Sequence, residues 1–139
     1  MKISPYLNFD GNCREAFEFY AKVLGGKNLQ IMTFRDMPPG QGMPPMTDEQ
    51  KNMVMHARFS AGDTMIMGSD APSGRYQKPQ GHFVNVSVDQ PEEADRIFAA
   101  LAEGGNVSMP IAETFWAERF GMLTDRFGTP WMLNCEKPM

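Results

Sequence analysis

The 139-residue chain carries 13 Lys+Arg against 17 Asp+Glu, a net charge of −4, with two Cys and 13 Met. At 42% hydrophobic and 11% aromatic residues it has the apolar surface for an unstapled core, which excludes intrinsic disorder and a disulfide scaffold. No apolar run nears the roughly 20 residues of a spanning helix, and an acidic balance without a basic stripe excludes a nucleic-acid footprint. Cys13 and Cys135 lie near opposite ends with no CxxC, and no apolar signal segment follows Met1-Lys2-Ile3-Ser4-Pro5, so a cytoplasmic location is expected. The expected partner is a small molecule, another protein or a second copy of the chain.

Ile3 to Phe9 reads as a strand, broken by Asp10-Gly11-Asn12, which supplies turn chemistry and a helix cap. From Cys13 to Leu24 the apolar residues Cys13, Ala16, Phe17, Tyr20, Val23 and Leu24 recur at helical spacing, and Gly25-Gly26 ends the helix. Leu29 to Arg35 is a second strand. Asp36 to Gln50, rich in Met, Pro and Gly, predicts a long surface loop and a candidate lid. Met53 to Ser60 and Thr64 to Gly68 read as a hairpin about Ala61-Gly62-Asp63. A connection follows from Asp70 to Gln80. His82 to Val88 is then a strand, with Asp89 as cap and Pro91, Glu92 and Glu93 opening a helix that runs to about Glu103. Gly104-Gly105 ends it; Asn106 to Met109 is a short strand, Pro110 to Arg119 a loop, and Phe120 to Asp125 with Trp131 to Cys135 a hairpin.

The pattern is strand, helix, three strands, written twice. The segments Ile3-Ser4-Pro5-Tyr6-Leu7-Asn8-Phe9-Asp10-Gly11-Asn12-Cys13, Phe19-Tyr20-x-x-x-Leu24-Gly25, Glu113-Thr114-Phe115-Trp116-Ala117 and Phe120-Gly121-x-x-Thr124-Asp125-x-Phe127-Gly128-x-Pro130-Trp131-Met132 resemble the PhnB-like proteins. These are a branch of the vicinal-oxygen-chelate superfamily, with glyoxalase I, bleomycin-resistance proteins and extradiol dioxygenases. The resemblance covers essentially the whole chain. It implies an α+β fold in one domain over residues 1–139, with two βαβββ modules at about 1–70 and 80–139. Each module would curl a mixed sheet into a half-cup, usually completed through a homodimer.

Metal-dependent members of the superfamily place a His or carboxylate on the first and last strands of each module, around one divalent ion. Counting back from Phe19-Tyr20, the first such position falls on Pro5; the others fall on Met67, Met132 and His82 or its neighbour Phe83. Thioethers are poor partners for a hard divalent cation, so no metal and no cofactor are expected. A methyltransferase label borne by some PhnB-like proteins finds little support, since Phe9-Asp10-Gly11-Asn12 has one glycine where a nucleotide-type turn wants several.

Strand alternation assigns the cup lining. Val84, Val86 and Val88 should pack under a helix, leaving Phe83, Asn85 and Ser87 for the other face. Likewise Trp131, Leu133 and Cys135 are the packed set, and Met132 and Asn134 face the cup. The candidate ligand-binding residues are His56, Met67, Asn85, Trp116, Met132 and Asn134. Eight methionines between Met32 and Met67 read either as gap-filling core and loop or as a soft adaptable wall. His56 is a candidate general base or a structural strand residue; Trp116 and Phe115 cap the cup or pack at a dimer seam. Glu113, or Glu118 with Arg119, either contacts an ionic substrate or is a solvated loop face, and Cys135 is expected to be inert. Three functions remain open. One is a metal-free homodimer that binds a small organic molecule. Another is an enzyme of unknown reaction using His56, Glu113 or a glutamate from a dimer mate. The last is a structural or regulatory protein with a vestigial cup.

Overall fold

Alternation with a period of two fixes what each strand buries, and one amphipathic helix covers each sheet on one side. The computed structural model describes residues 1–38, 40, 45–72 and 74–138. The chain divides into two units, Met1–Tyr76 and Gln77–Met139. The first contains β1 (Tyr6–Phe9), α1 (Cys13–Val23), β2 (Lys27–Thr33), a 3₁₀ turn (Phe34–Asp36), α2 (Asp48–Asn52), β3 (Val54–Ala61) and β4 (Thr64–Asp70). The second contains β5 (Val84–Ser87), α3 (Pro91–Ala102), β6 (Asn106–Ala112), β7 (Ala117–Thr124) and β8 (Pro130–Glu136). Each sheet has four strands, in the orders β1-β4-β3-β2 and β5-β8-β7-β6. The β1–β4 and β5–β8 pairs are parallel and the others antiparallel. The fold is α+β, as expected.

In the first unit Cys13, Ala16, Phe17, Tyr20 and Val23 bury the inner stripe of α1. They meet Phe9, Ala57, Phe59 and Ile66, all buried. Phe17 stands edge-on to Phe9 at 5.9 Å and to Phe59 at 5.6 Å between ring centroids. The helix lies so close over β4 that a Cβ on Gly68 would come within 2.7 Å of the Phe17 ring. Gly25 ends α1 in the left-handed region, at φ 65. In the second unit Ala94, Ile97, Phe98 and Leu101 of α3 form the buried stripe, and Leu123, Trp131, Leu133 and Cys135 are buried in the sheet.

Two carboxylates, each 4% exposed, hold the units' backbones in place. Asp70 accepts from the Cys13 amide at 3.0 Å and from the Val54 amide at 2.8 Å, joining the start of α1 to the start of β3. Asn12, the expected cap, occupies the N-cap position but makes no capping bond; Asp70, from 57 residues away, takes over that task. Asp125 accepts from the Phe127 and Thr129 amides at 2.8 and 3.0 Å and from the Trp131 indole N–H at 2.8 Å, which fixes the β7–β8 turn.

Several boundaries differ from the sequence reading. β1 begins at Tyr6 because Pro5 has no amide to donate, and β5 begins at Val84 rather than His82. β6 continues through Pro110 to Ala112 and β7 starts at Ala117, so the expected loop from Pro110 to Arg119 shrinks to residues 113–116. Proline is tolerated there because β6 is an edge strand, with register shifts on either side of Met109. The segment from Asp36 to Gln50 was expected to hold no helix, yet α2 starts within it behind a capping box. Thr47 accepts from the Gln50 amide and Gln50 from the Thr47 amide. Residues 39 and 41–44 of that candidate lid lie outside the described residues. The N-cap of α3 is Gln90, not Asp89.

Replacing Asp70 or Asp125 by Ala strands two or more buried N–H donors, and each variant should lose about 3 kcal/mol of unfolding free energy in urea titrations. An unchanged midpoint for both would remove these carboxylates from the account.

Candidate functional site

The face of each sheet away from its helix carries the side chains that the packing leaves over. In the first unit the register lines up one row across four strands. Gln30 of β2 pairs with Arg58 of β3, Arg58 with Met67 of β4, and Met67 with Tyr6 of β1. The Arg58 Nε–H donates to the Gln30 amide oxygen at 2.9 Å. A second row holds His56, which pairs with Met32, and the His56 and Tyr6 rings lie 6.0 Å apart. Asn8 accepts from the Ser69 hydroxyl at 3.5 Å on the same face.

The second unit repeats the row with other chemistry. Met109 pairs with Met122, Met122 with Met132, and Met132 with Asn85, giving three thioethers and an amide in line. One step along β8, Asn134 pairs with Phe120 and with Ser87. Its Oδ1 is buried without a hydrogen-bond partner among the described residues. The Asn85 side-chain amide donates to the Ser87 hydroxyl at 2.9 Å. Trp116 reaches this region through Phe120, with ring centroids 5.4 Å apart, and Phe115 stands edge-on to Trp116 at 4.9 Å. The short loop bearing them is pinned by the Thr114 hydroxyl, which accepts from the Ala117 amide at 3.0 Å, and by a Lys137–Glu113 ion pair at 3.1 Å. That pinning leaves Phe115 89% and Trp116 44% exposed.

The structure therefore gathers His56 and Met67 on one open face, and Asn85, Met132, Asn134 and Trp116 in the other unit. The parallel pairs do not include Pro5, His82 or Phe83. Tyr6 stands beside Met67 and Asn85 beside Met132, while Pro5, His82 and Phe83 precede the strands β1 and β5. Arg58 and Gln30 also escaped the reading; their signal was alternation with His56 on β3 and with Met32 on β2.

On the paired first and last strands, Tyr6 stands beside Met67 in the first unit and Asn85 beside Met132 in the second. Neither pair, a thioether with a phenol or a thioether with a neutral amide, fits a hard divalent cation. Among the described residues no three His, Cys, Asp or Glu side chains come together in a metal-binding group. A polar cleft of about 580 Å³ lies elsewhere in the first unit, lined by Asp10, Gly11, Thr47, Glu49, Gln50, Asn52, Met53 and Ala71, and includes none of the sequence-predicted residues.

Neither thiol is set up as a nucleophile. Burial, and then the negative charge of Asp70, push Cys13 from 9.0 up to about 12. Burial and then Glu118, whose carboxylate lies 3.7 Å from the sulfur, also push Cys135 up. Glu113, Glu118 and Arg119 are engaged by Lys137, Cys135 and Asp95 respectively.

The model of the family described as 3-demethylubiquinone-9 3-methyltransferase matches residues 1–134. Protein YjdN of Escherichia coli (strain K12) is 38% identical over 143 residues, covering 99% of this chain and 97% of that protein. The crystal structure of PA1353 from Pseudomonas aeruginosa is 47% identical with a TM-score of 0.83, covering 99% of both chains. The PhnB protein of Bacillus cereus is 25% identical with a TM-score of 0.74, over 97% of this chain and 99% of that one. At 11% identity and a TM-score of 0.66, covering 99% of this chain and 94% of that one, the fosfomycin resistance protein FosX of Listeria monocytogenes shares the fold.

The Cys13 shift has a signed consequence. Below pH 9 the folded and unfolded chains both hold this proton and the contribution to stability is complete. Between about 9 and 12 the unfolded chain releases it first, so stability falls as pH rises. Cys13→Ala should flatten that part of the stability–pH curve measured by urea denaturation; an unchanged slope would refute the assignment.

Proposed function

This chain belongs to the 3-demethylubiquinone-9 3-methyltransferase family, the PhnB-like branch of the vicinal-oxygen-chelate superfamily, and from that membership we propose that it is a metal-free homodimer that binds a small organic molecule on its open sheet faces. The observation that carries the reading is the pair of in-register rows, which set Tyr6 beside Met67 in the first unit and Asn85 beside Met132 in the second. Polarizable thioethers flanked by a few amides suit a largely apolar ligand oriented by a small number of hydrogen bonds. The unpartnered Asn134 oxygen supports this, because a buried acceptor without a donor costs about 1–3 kcal/mol that a ligand N–H or O–H would recover. The methyltransferase description finds no counterpart in the β1–α1 turn, where Gly11 is the one glycine between Phe9 and Cys13.

A second copy is the natural cover for Phe115 and Trp116. Aromatic side chains held out by a pinned loop are typical anchors of protein interfaces.

Purified protein should lose divalent metal on dialysis and elute at twice the 15.6 kDa chain mass. Hits from a thermal-shift screen of small molecules should bind Asn85→Leu and Asn134→Leu about tenfold more weakly. A stoichiometric divalent ion retained after dialysis overturns the metal-free reading. Monomeric elution overturns the dimer, and unaltered binding by both variants overturns the site.

A further inference from the structure

The strands of the first unit are almost free of negative charge in a protein that is acidic overall. β1 to β4 together carry Lys27, His56 and Arg58, and their single acidic residue is Asp70. That carboxylate is buried at the start of α1, where two backbone amides satisfy it. Nothing acidic on these strands therefore reaches the open face.

Arg58 sits in the middle of this face. Three other arginines each pair the guanidinium with a carboxylate: Arg35 with Asp48, Arg96 with Glu93 and Arg119 with Asp95. Arg58 has no such pair among the described residues. A neutral amide, Gln30, holds it through Nε at 2.9 Å, which orients the planar group without cancelling its charge. Its in-register neighbour on the other side is Met67, with Tyr6 next in the row. A guanidinium fixed in this way presents a fork of N–H donors that matches two oxygens of an oxyanion. Beside it a thioether and an aromatic ring offer an apolar bed.

Resting on the reading that ligands bind the open faces, we propose that Arg58 is the anion-recognising residue of this protein and that its ligand class is a small aromatic or apolar oxyanion. The anionic group docks on Arg58 and the apolar body lies over Met67 and Tyr6. Carboxylate and phosphonate share this chemistry, and the measurement separates them.

Benzoate and phenylphosphonate serve as probes, with benzamide as the neutral match, in isothermal titrations against the full-length protein. Both anions should bind at least tenfold more tightly than benzamide, and whichever binds tighter identifies the oxyanion. Arg58→Gln should erase that preference and leave benzamide unchanged. Gln30→Glu, which places a carboxylate against the intact arginine, should erase it too. Arg58→Lys should keep part of it, since the charge remains while the fork is lost. Arg58 and Gln30 are both exposed, so these variants are expected to fold, and circular dichroism checks that they do. Equal binding of benzoate, phenylphosphonate and benzamide, weakened alike by Tyr6→Leu, would overturn the anion assignment while sustaining the open-face reading. Anion binding that Arg58→Gln and Gln30→Glu leave untouched would overturn the assignment as well. If no probe binds, and none of the ligands from a thermal-shift screen responds to substitutions on either face, both readings fall together.

Discussion

In-register pairing across four strands is the constraint on which the rest depends. A helix covers one face of each sheet, so every apolar residue that must be buried has one parity available, and what remains falls on the other face. Phe9, Ala57, Phe59 and Ile66 take the buried parity in the first unit, and Leu123, Trp131, Leu133 and Cys135 take it in the second. The rows Gln30–Arg58–Met67–Tyr6 and Met109–Met122–Met132–Asn85 follow from that choice. A shift of one residue in β4 or β8 would exchange Met67 for Gly68 or Met132 for Leu133, destroying core and site together.

The buried carboxylates keep that register. Asp70 sets where α1 and β3 begin relative to β4, and Asp125 sets the turn from which β8 leaves β7. Asp70 accepts from two backbone amides, and Asp125 from two backbone amides and the Trp131 indole. Their burial also has an electrostatic result: the only carboxylate in the first unit's strands is turned away from Arg58. Fold stability and the charge of the open face are thus linked through one residue.

Much of this was legible in the sequence. Helical spacing locates α1 and α3, and strand alternation separates Trp131, Leu133 and Cys135 from Met132 and Asn134. What escaped depended on partners distant in the chain. Asp70 looked like the start of a connection, because nothing local reveals that its carboxylate caps a helix 57 residues earlier. Pro110 reads as a loop residue because proline's tolerance at an edge depends on which strands pair, and the Tyr6–Met67 pairing is not legible because parallel register depends on both strands. α2 did have a local signal, the Thr47-Asp48-Glu49-Gln50 capping box, masked by the neighbouring prolines.

The paired first and last strands of each unit present soft or neutral groups, Tyr6 with Met67 in one and Asn85 with Met132 in the other. The most direct measurement of the central claim is a methyl NMR titration of the ¹³C-methionine-labelled protein with the strongest ligand from the thermal-shift screen. The account predicts shifts at the Met67 methyl for a ligand on the first unit's face, or at the Met122 and Met132 methyls for one on the second unit's face. Shifts confined to Met53, which lines the polar cleft beside α2, would contradict it.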